Sequence, residues 1–249
     1  MSDDALIQEA KRTIPSLEQM RVELERDSEK IKGAFEDKLV ALDQRGAALF
    51  AQYQEKALRR LVELWLDAKE QTLGKAYLEV LQEQGWQAFK QTVLPTLVEL
   101  SRLVQRLEKD LGNMRKARGG SWFQYSIQLL LQQEGIASEF PLGANAKALG
   151  RVDMVVPSVK VAREQPDKAF FITCKRTLRE RWKQEVPQGV ANRRYYLVTL
   201  DSALSASKAE EIKMMNLIAY VPTSVCDALQ QQCDMPWIRP LNQLPRDLR

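Results

Sequence analysis

Histidine is absent from this 249-residue chain, and the absence excludes more chemistry than any single residue present. Neutral imidazole is the commonest zinc ligand and the usual general base near neutral pH. Without it, Ser-His-Asp triads, HExxH metalloproteases and His-ligated zinc deaminases are ruled out. Cysteine is scarce as well: Cys174, Cys226 and Cys233 are too few and too irregularly spaced for a disulfide framework or an all-cysteine zinc site. Such usage fits a reduced, cytoplasmic setting. No apolar run approaches the roughly eighteen residues of a membrane span, and the acidic start Met1-Ser2-Asp3-Asp4 lacks the regions of a signal peptide. No membrane association is therefore expected. The phosphate-binding motifs GxxxxGK[ST] and GxGxxG are missing too, so the usual nucleotide-binding loops are not used.

What the chain does have is an ordinary globular composition, 45% apolar and 28% charged, and enough length for one large domain or two modest ones. Proline is absent between Pro15 and Pro95, and Leu, Ala, Glu, Lys, Gln and Arg dominate that stretch, as in helices. Leu17, Met20 and Leu24, then Ile31, Phe35 and Leu39, then Leu61, Leu64 and Ala68 recur at three- and four-residue steps, predicting amphipathic helices ending near Leu111. The segment Gly112 to Gly120 pairs glycines with Arg115, Lys116 and Arg118 and reads as a linker or phosphate-touching loop. A boundary there divides the chain into a helical scaffold, dimerisation or arm region, residues 1–118, and a second domain, residues 119–249.

The second domain reads as α/β. A helix from Ser121 to Glu134, capped by Ser121, precedes β-type runs at Val152–Val156, Ala169–Cys174, Tyr195–Leu200 and Leu217–Val221, interleaved with helical stretches near 178–185 and 203–215. The order predicts helices packed on a small mixed sheet. From Gln230 through Pro236, Pro240 and Pro245 to Arg249 the chain reads as an irregular surface wrap. Basic charge concentrates between residues 151 and 200, with eleven Lys or Arg against five Asp or Glu. Such a cationic field suits a polyanion such as nucleic acid, an anionic protein or a solvated face.

Two features carry chemistry. Asp153 lies in one β-type run and Lys175 closes the next; adjacent strands would bring carboxylate and ammonium together. The pair serves either a hard divalent cation and an attacking water or a structural ion bridge. Arg179-Glu180-Arg181 follows at a helix start, where consecutive residues do not face one another. Arginine forks onto guanine O6 and N7, and a carboxylate accepts from cytosine N4, so the triplet suits C·G pairs; the alternative is a solvated helix start. Cys174 reads as a core residue with its backbone carbonyl available to a metal. Lys116, Arg118, Arg193 and Arg194 have equal claim to phosphate contact and to a solvated face.

The run Thr173-Cys174-Lys175-Arg176-Thr177-Leu178-Arg179-Glu180-Arg181-Trp182-Lys183-Gln184 resembles the catalytic and recognition block of EcoRII-like type II restriction endonucleases. These form the branch of the PD-(D/E)XK superfamily that cuts CCGG, CCNGG or CCWGG sites. The resemblance extends through Arg194–Asp201 and Met215–Pro222 and covers roughly residues 119–225. It implies a restriction-endonuclease-like mixed sheet flanked by helices, behind an N-terminal all-helical region. It further implies a Mg²⁺-dependent nuclease acting on double-stranded DNA as a homodimer, beside a DNA methyltransferase of the same site. Asp153 would hold metal, Lys175 would assist catalysis, and Arg179, Glu180 and Arg181 would read C·G pairs. The branch places a glutamate thirteen residues after the lysine and another after a phenylalanine on the preceding helix. Here those positions are Gln188 and Gln124, neutral amides that would weaken Mg²⁺ binding, and Glu185 is the replacement carboxylate within reach of a backbone shift. The alternative implied by these exchanges is a nuclease-derived protein that reads DNA but nicks, cuts weakly or does not cut.

Overall fold

The computed structural model describes residues 2–70, 73–74, 77–150, 152–179, 182–190 and 193–249. It divides into two compact units, one of residues 1–20 and 46–118, the other of residues 21–45 and 119–249. Residues 21–45, grouped above with the helical region, thus belong with the α/β unit.

The first unit is helical. Helix α1, Asp3–Lys11, buries Leu6, Ile7 and Ala10, the three- and four-residue spacing of one helix face. Helix α3, Phe35–Ala68, continues the same logic through Leu49, Phe50, Ala57, Leu61 and Trp65, all buried. Helix α4 spans Tyr77–Gln133 with non-helical geometry at Gly85 (φ 77°, ψ −179°), a conformation open to glycine because it lacks Cβ. Within the unit, Leu103, Leu107 and Leu111 of α4 are fully buried, and Lys11 of α1 pairs with Asp110 at 2.8 Å.

The expected linker at 112–120 is not a loop: α4 runs through it without interruption. Three glycines, Gly112, Gly119 and Gly120, cost a helix about 1 kcal/mol each, but Met114, Arg115, Lys116 and Ala117 between the first two are good formers. The helix is locked by Trp122 and Phe123, both buried. Ser121 therefore sits inside a helix rather than capping one.

In the second unit, helix α2, Leu17–Ser28, contributes its second half and α3 its first turns. Beyond α4 come α5, Ala144–Ala148, strand β1, Met154–Val156, α6, Val159–Glu164, and β2, Phe170–Cys174. Then follow α7, Trp182–Glu185, β3, Arg194–Val198, α8, Ala206–Met214, and β4, Ile218–Val221. The chain ends with α9, Thr223–Gln230, β5, Ile238–Pro240, and α10, Leu244–Asp247. Among the described residues the strands form one mixed sheet in the order β1-β2-β3-β4-β5. Strand β1 is antiparallel to β2, with Met154 opposite Ile172. Strands β2 to β5 run parallel, with Phe170 opposite Arg194 and Ala219 opposite Ile238.

The sheet is apolar on both faces, as a parallel sheet covered by helices must be. Phe171, Tyr195, Leu197 and Ala219 join Trp182, Ile212 and Leu229 in one core. On alternate positions Phe170, Tyr196 and Tyr220 pack as tilted rings across β2, β3 and β4 with centroids 5.3 and 5.1 Å apart. The tail expected to be irregular instead supplies β5: Pro236 and Pro240 lie at an edge, where a missing ladder donor is tolerated. Residues 21–45 are fixed by hydrogen bonds within the unit. Trp122 Nε1 donates to the Leu42 carbonyl at 3.0 Å, and Thr223 N–H and Oγ1–H donate to the Glu36 carboxylate at 3.0 and 2.5 Å. Glu36 so caps α9, whose own preceding residue is a proline. No helix among the described residues is long and apolar enough to cross a membrane.

Candidate active site

The antiparallel pairing of β1 with β2 places Asp153 and Lys175 at the same end of the sheet. Asp153 is held on every side. Its N–H donates to the Ile172 carbonyl at 3.0 Å. Its Oδ2 accepts from Cys174 N–H at 2.7 Å and from Thr173 Oγ1–H at 3.1 Å, and its Oδ1 accepts from Gln124 Nε2 at 2.8 Å. A half-buried carboxylate is costly unless so paired. Burial pushes the Asp153 carboxyl above its ordinary range, while Cys174 N–H, the Thr173 hydroxyl and the Lys175 ammonium pull it back.

Lys175 is not the ion-pair partner of Asp153. Its Nζ meets Glu185 Oε2 at 2.8 Å, at the last residue of α7, and this bond holds Glu185 below the usual carboxylate range. The Lys175 backbone N–H is fixed to the Val198 carbonyl at 2.9 Å. The N–H and C=O of one strand residue point to the same edge, so the carbonyl of Cys174 projects toward β1, as its N–H does. Its thiol is fully buried, which raises its pKa well above the ordinary value, so no thiolate nucleophile forms there.

The structure thus gathers Asp153, Gln124, Lys175, Glu185 and the backbone of Cys174, but not Gln188. The expected helix over 178–185 is a single turn, 182–185, and Pro187 opens a segment without regular secondary structure on which Gln188 is exposed. Among the described residues no hydrogen bond joins the Gln188 side chain to Asp153 or Lys175. The segment is pinned next door, where Gly189 N–H donates to the Met215 carbonyl at 2.8 Å. Any Cβ at Gly189 would lie 2.2 Å from the Asn216 carbonyl oxygen. Among the described residues no cluster of three or more His, Cys, Asp or Glu forms.

Arg179 is exposed, in the irregular stretch that follows β2; Glu180 and Arg181 lie outside the described residues. What fixes that stretch went unread in the sequence. Asp201, 7% exposed, accepts from Leu178 N–H at 2.8 Å and from Ala203 N–H at 2.9 Å, while Lys208 Nζ donates to the Leu178 carbonyl at 2.6 Å. Arg176 pairs with Asp43 of α3 at 2.7 Å; burial raises the Asp43 carboxyl and Arg176 counteracts it. Two backbone bonds and one ion pair therefore clamp residues 176–178, directly after the lysine. Asp201 carried a faint local signal, an Asp at a strand end before a turn, which often bonds the backbone two residues on. Lys208 and Asp43 carried none.

Residues 87–239 match the family model described as EcoRII C terminal. The chain is 33% identical over 114 residues to the type II restriction enzyme SsoII of Shigella sonnei, an alignment covering 42% of this chain and 37% of that protein. The match therefore spans little more than a third of SsoII. Among solved structures, metal-depleted Ecl18kI in complex with uncleaved DNA superposes with a TM-score of 0.74 at 17% identity, covering 100% of this chain and 84% of that one. A PspGI restriction endonuclease–substrate DNA complex gives a TM-score of 0.58 at 17% identity, covering 96% and 93%. At such identities the likeness concerns the fold: a mixed sheet flanked by helices, with a long N-terminal helical region.

Proposed function

The chain belongs to the EcoRII C-terminal family, and from that premise we propose that it is a type II restriction endonuclease. It hydrolyses double-stranded DNA at a short palindromic CC/GG-containing site with Mg²⁺. The observation that carries this reading is Asp153 and Lys175 at one sheet end, with a clamped stretch leading from the lysine to Arg179.

The donor set fits a small hard cation. The Asp153 carboxylate, the Cys174 carbonyl and, with its amide turned, the Gln124 oxygen are all oxygen ligands, and Mg²⁺ binds through few carboxylates while keeping several waters. When bound, the ion would supply charge neutralisation at the scissile phosphate and a more acidic water. The chain's own residues do the rest. Lys175 spends one of its three N–H donors on Glu185, leaving the others for a phosphate oxygen or the attacking water. Glu185, held ionised, orients that ammonium and accepts a proton. Water oxygen bonds to phosphorus as the P–O bond to the leaving oxygen breaks, and Lys175 faces the charge that develops. Arg179, with Glu180 and Arg181, reads C·G pairs in the major groove.

A two-fold site is read most simply by a homodimer, each protomer serving one half-site. Residues 1–20 and 46–118 supply its scaffold or DNA arm, and residues 119–249, with residues 21–45, its catalytic and recognition part. The enzyme works in the cytoplasm beside a methyltransferase that protects the same site. A second reading, a DNA-binding protein with weak or no cleavage, is favoured by Gln124 donating to Asp153 and by the exposure of Gln188. The deciding experiment incubates long unmethylated DNA with the protein in Mg²⁺ or Mn²⁺ and sequences the ends, with Lys175→Ala as control. Fragments ending in a shared CC/GG motif and lost in the control support cleavage. Intact DNA with a sequence-specific gel shift supports the second reading.

A further inference from the structure

The end of the sheet opposite Asp153 and Lys175 carries its own concave, basic surface. One cavity of about 570 Å³ is bordered by Lys168, Phe170, Arg194, Pro157 and Arg249. Another of about 220 Å³ is bordered by Arg193, Arg194, Lys213 and Trp237. Arg194 borders both, and both lie beside the starts of β2 and β3. Neither has an Asp or Glu among its described lining residues.

The cations are displayed rather than consumed. Lys168 and Arg193 make no ion pair among the described residues. Arg194 lies 3.9 Å above the Phe170 ring and donates to the Asp167 carbonyl, which fixes its guanidinium without neutralising it. Lys213 lies 4.2 Å from the Trp237 ring and only at 3.9 Å from Glu210. Arg249 is offset more closely, by Glu134 at 3.1 Å. Resting cations on aromatic faces holds them in place at low desolvation cost. Preorganised positive charge along a groove is what a phosphate backbone meets.

We propose that this face binds a second segment of double-stranded DNA, distinct from the one engaged at Lys175. The inference rests on DNA being the substrate, as argued above. Strand β2 carries Phe170 at one end and leads into Lys175 at the other. The basic cavities therefore border the end of the sheet away from the catalytic lysine, about 16 Å along the strand at about 3.3 Å per residue. The bound segment is read through its phosphates, without sequence preference.

The test measures binding of a fluorescein-labelled 20-base-pair duplex lacking CC and GG steps, across a salt series, to the wild-type full chain, Lys168→Glu/Lys213→Glu and Lys168→Gln/Lys213→Gln. Both lysines are exposed, and thermal melts report the folding of each variant. The expected result is an affinity loss of at least about tenfold at low salt for the charge reversal and a smaller loss for the neutral pair. The slope of log affinity against log salt flattens by up to about two units, as expected when phosphate contacts are removed. Cleavage of CC/GG-containing DNA stays within about twofold. An unchanged affinity and salt slope in folded variants overturns the proposal. If the wild type neither cuts nor prefers CC/GG DNA, yet the variants lose binding to the unspecific duplex, the function proposed above fails while this surface stands.

Discussion

The two ends of the central sheet use positive charge in opposite ways. Where β2 and β3 end, every cation along 175–176 has an assigned acid: Lys175 meets Glu185 and Arg176 meets Asp43. Where the same strands begin, Lys168 and Arg193 have none among the described residues, and Arg194 leans on a ring. An engaged cation is fixed to a few tenths of an ångström and suits chemistry at one atom; an unengaged one attracts without selecting. The fold thus separates a constrained end from an adhesive end by the length of a strand.

Substitutions at the constrained end should have large and specific effects. Lys175→Ala is expected to lower cleavage by at least about a thousandfold, roughly 4 kcal/mol in the barrier, while binding to CC/GG duplex persists; single-turnover kinetics with a gel shift checks both. Loss of binding alongside cleavage would place Lys175 in DNA affinity instead. Asp201→Ala leaves the N–H groups of Leu178 and Ala203 without an acceptor and should destabilise the fold by about 2–4 kcal/mol, measured by urea denaturation. Asp201→Asn, which keeps one acceptor oxygen, should fall between it and the wild type, and equal losses for both would count against the clamp. Arg179→Ala should cost about 1–3 kcal/mol of discrimination between CC/GG and altered sites, with thermal stability unchanged. A matching loss on all sequences would move Arg179 to the adhesive class.

The smallest expected effect is in pH dependence. Asp153 must be ionised to hold a cation, and burial raises its pKa. The acid limb of metal binding should therefore lie above the ordinary Asp range near pH 3.9. The effect on stability has the opposite sense. A raised folded-state pKa contributes stability that is full below the unfolded value and is lost as pH rises through the folded one. Titration of Mn²⁺ affinity against pH reads the first, and an acid limb at or below pH 3.9 would contradict the burial argument.

Much of this was legible from residue order. The strands 154–156, 170–174, 194–198 and 218–221 lie within or beside the expected runs, since apolar β-branched and aromatic clusters leave little choice when both faces are covered. Strand β5 was hidden because Pro236 and Pro240 mimic a loop, and its pairing depends on β4 offering a free edge. The glycines at 112–120 misled for the converse reason: local propensity yielded to a helix secured by large buried residues on either side. In the site, Asp153, Gln124, Lys175 and Glu185 come together, but the α7 helix stops before Gln188, because Pro187 cannot extend it. The clamp by Asp201, Lys208 and Asp43 depends on partners 23 to 133 residues away, a spacing that periodicity does not encode.

The carboxylate of Glu36 on the start of α9 links residues 187 positions apart. On a ribosome, the segment that closes this unit emerges early and must wait for nearly the whole remaining chain before its partner exists. The unit consequently gains its last contacts late, with a high contact order and a slow final closure. A fragment starting at residue 119 would lack Glu36, Leu42 and Asp43 together. The α/β half is therefore no transferable cassette: grafted without its early strap, it would carry an uncapped α9 and an Arg176 guanidinium without its Asp43 carboxylate.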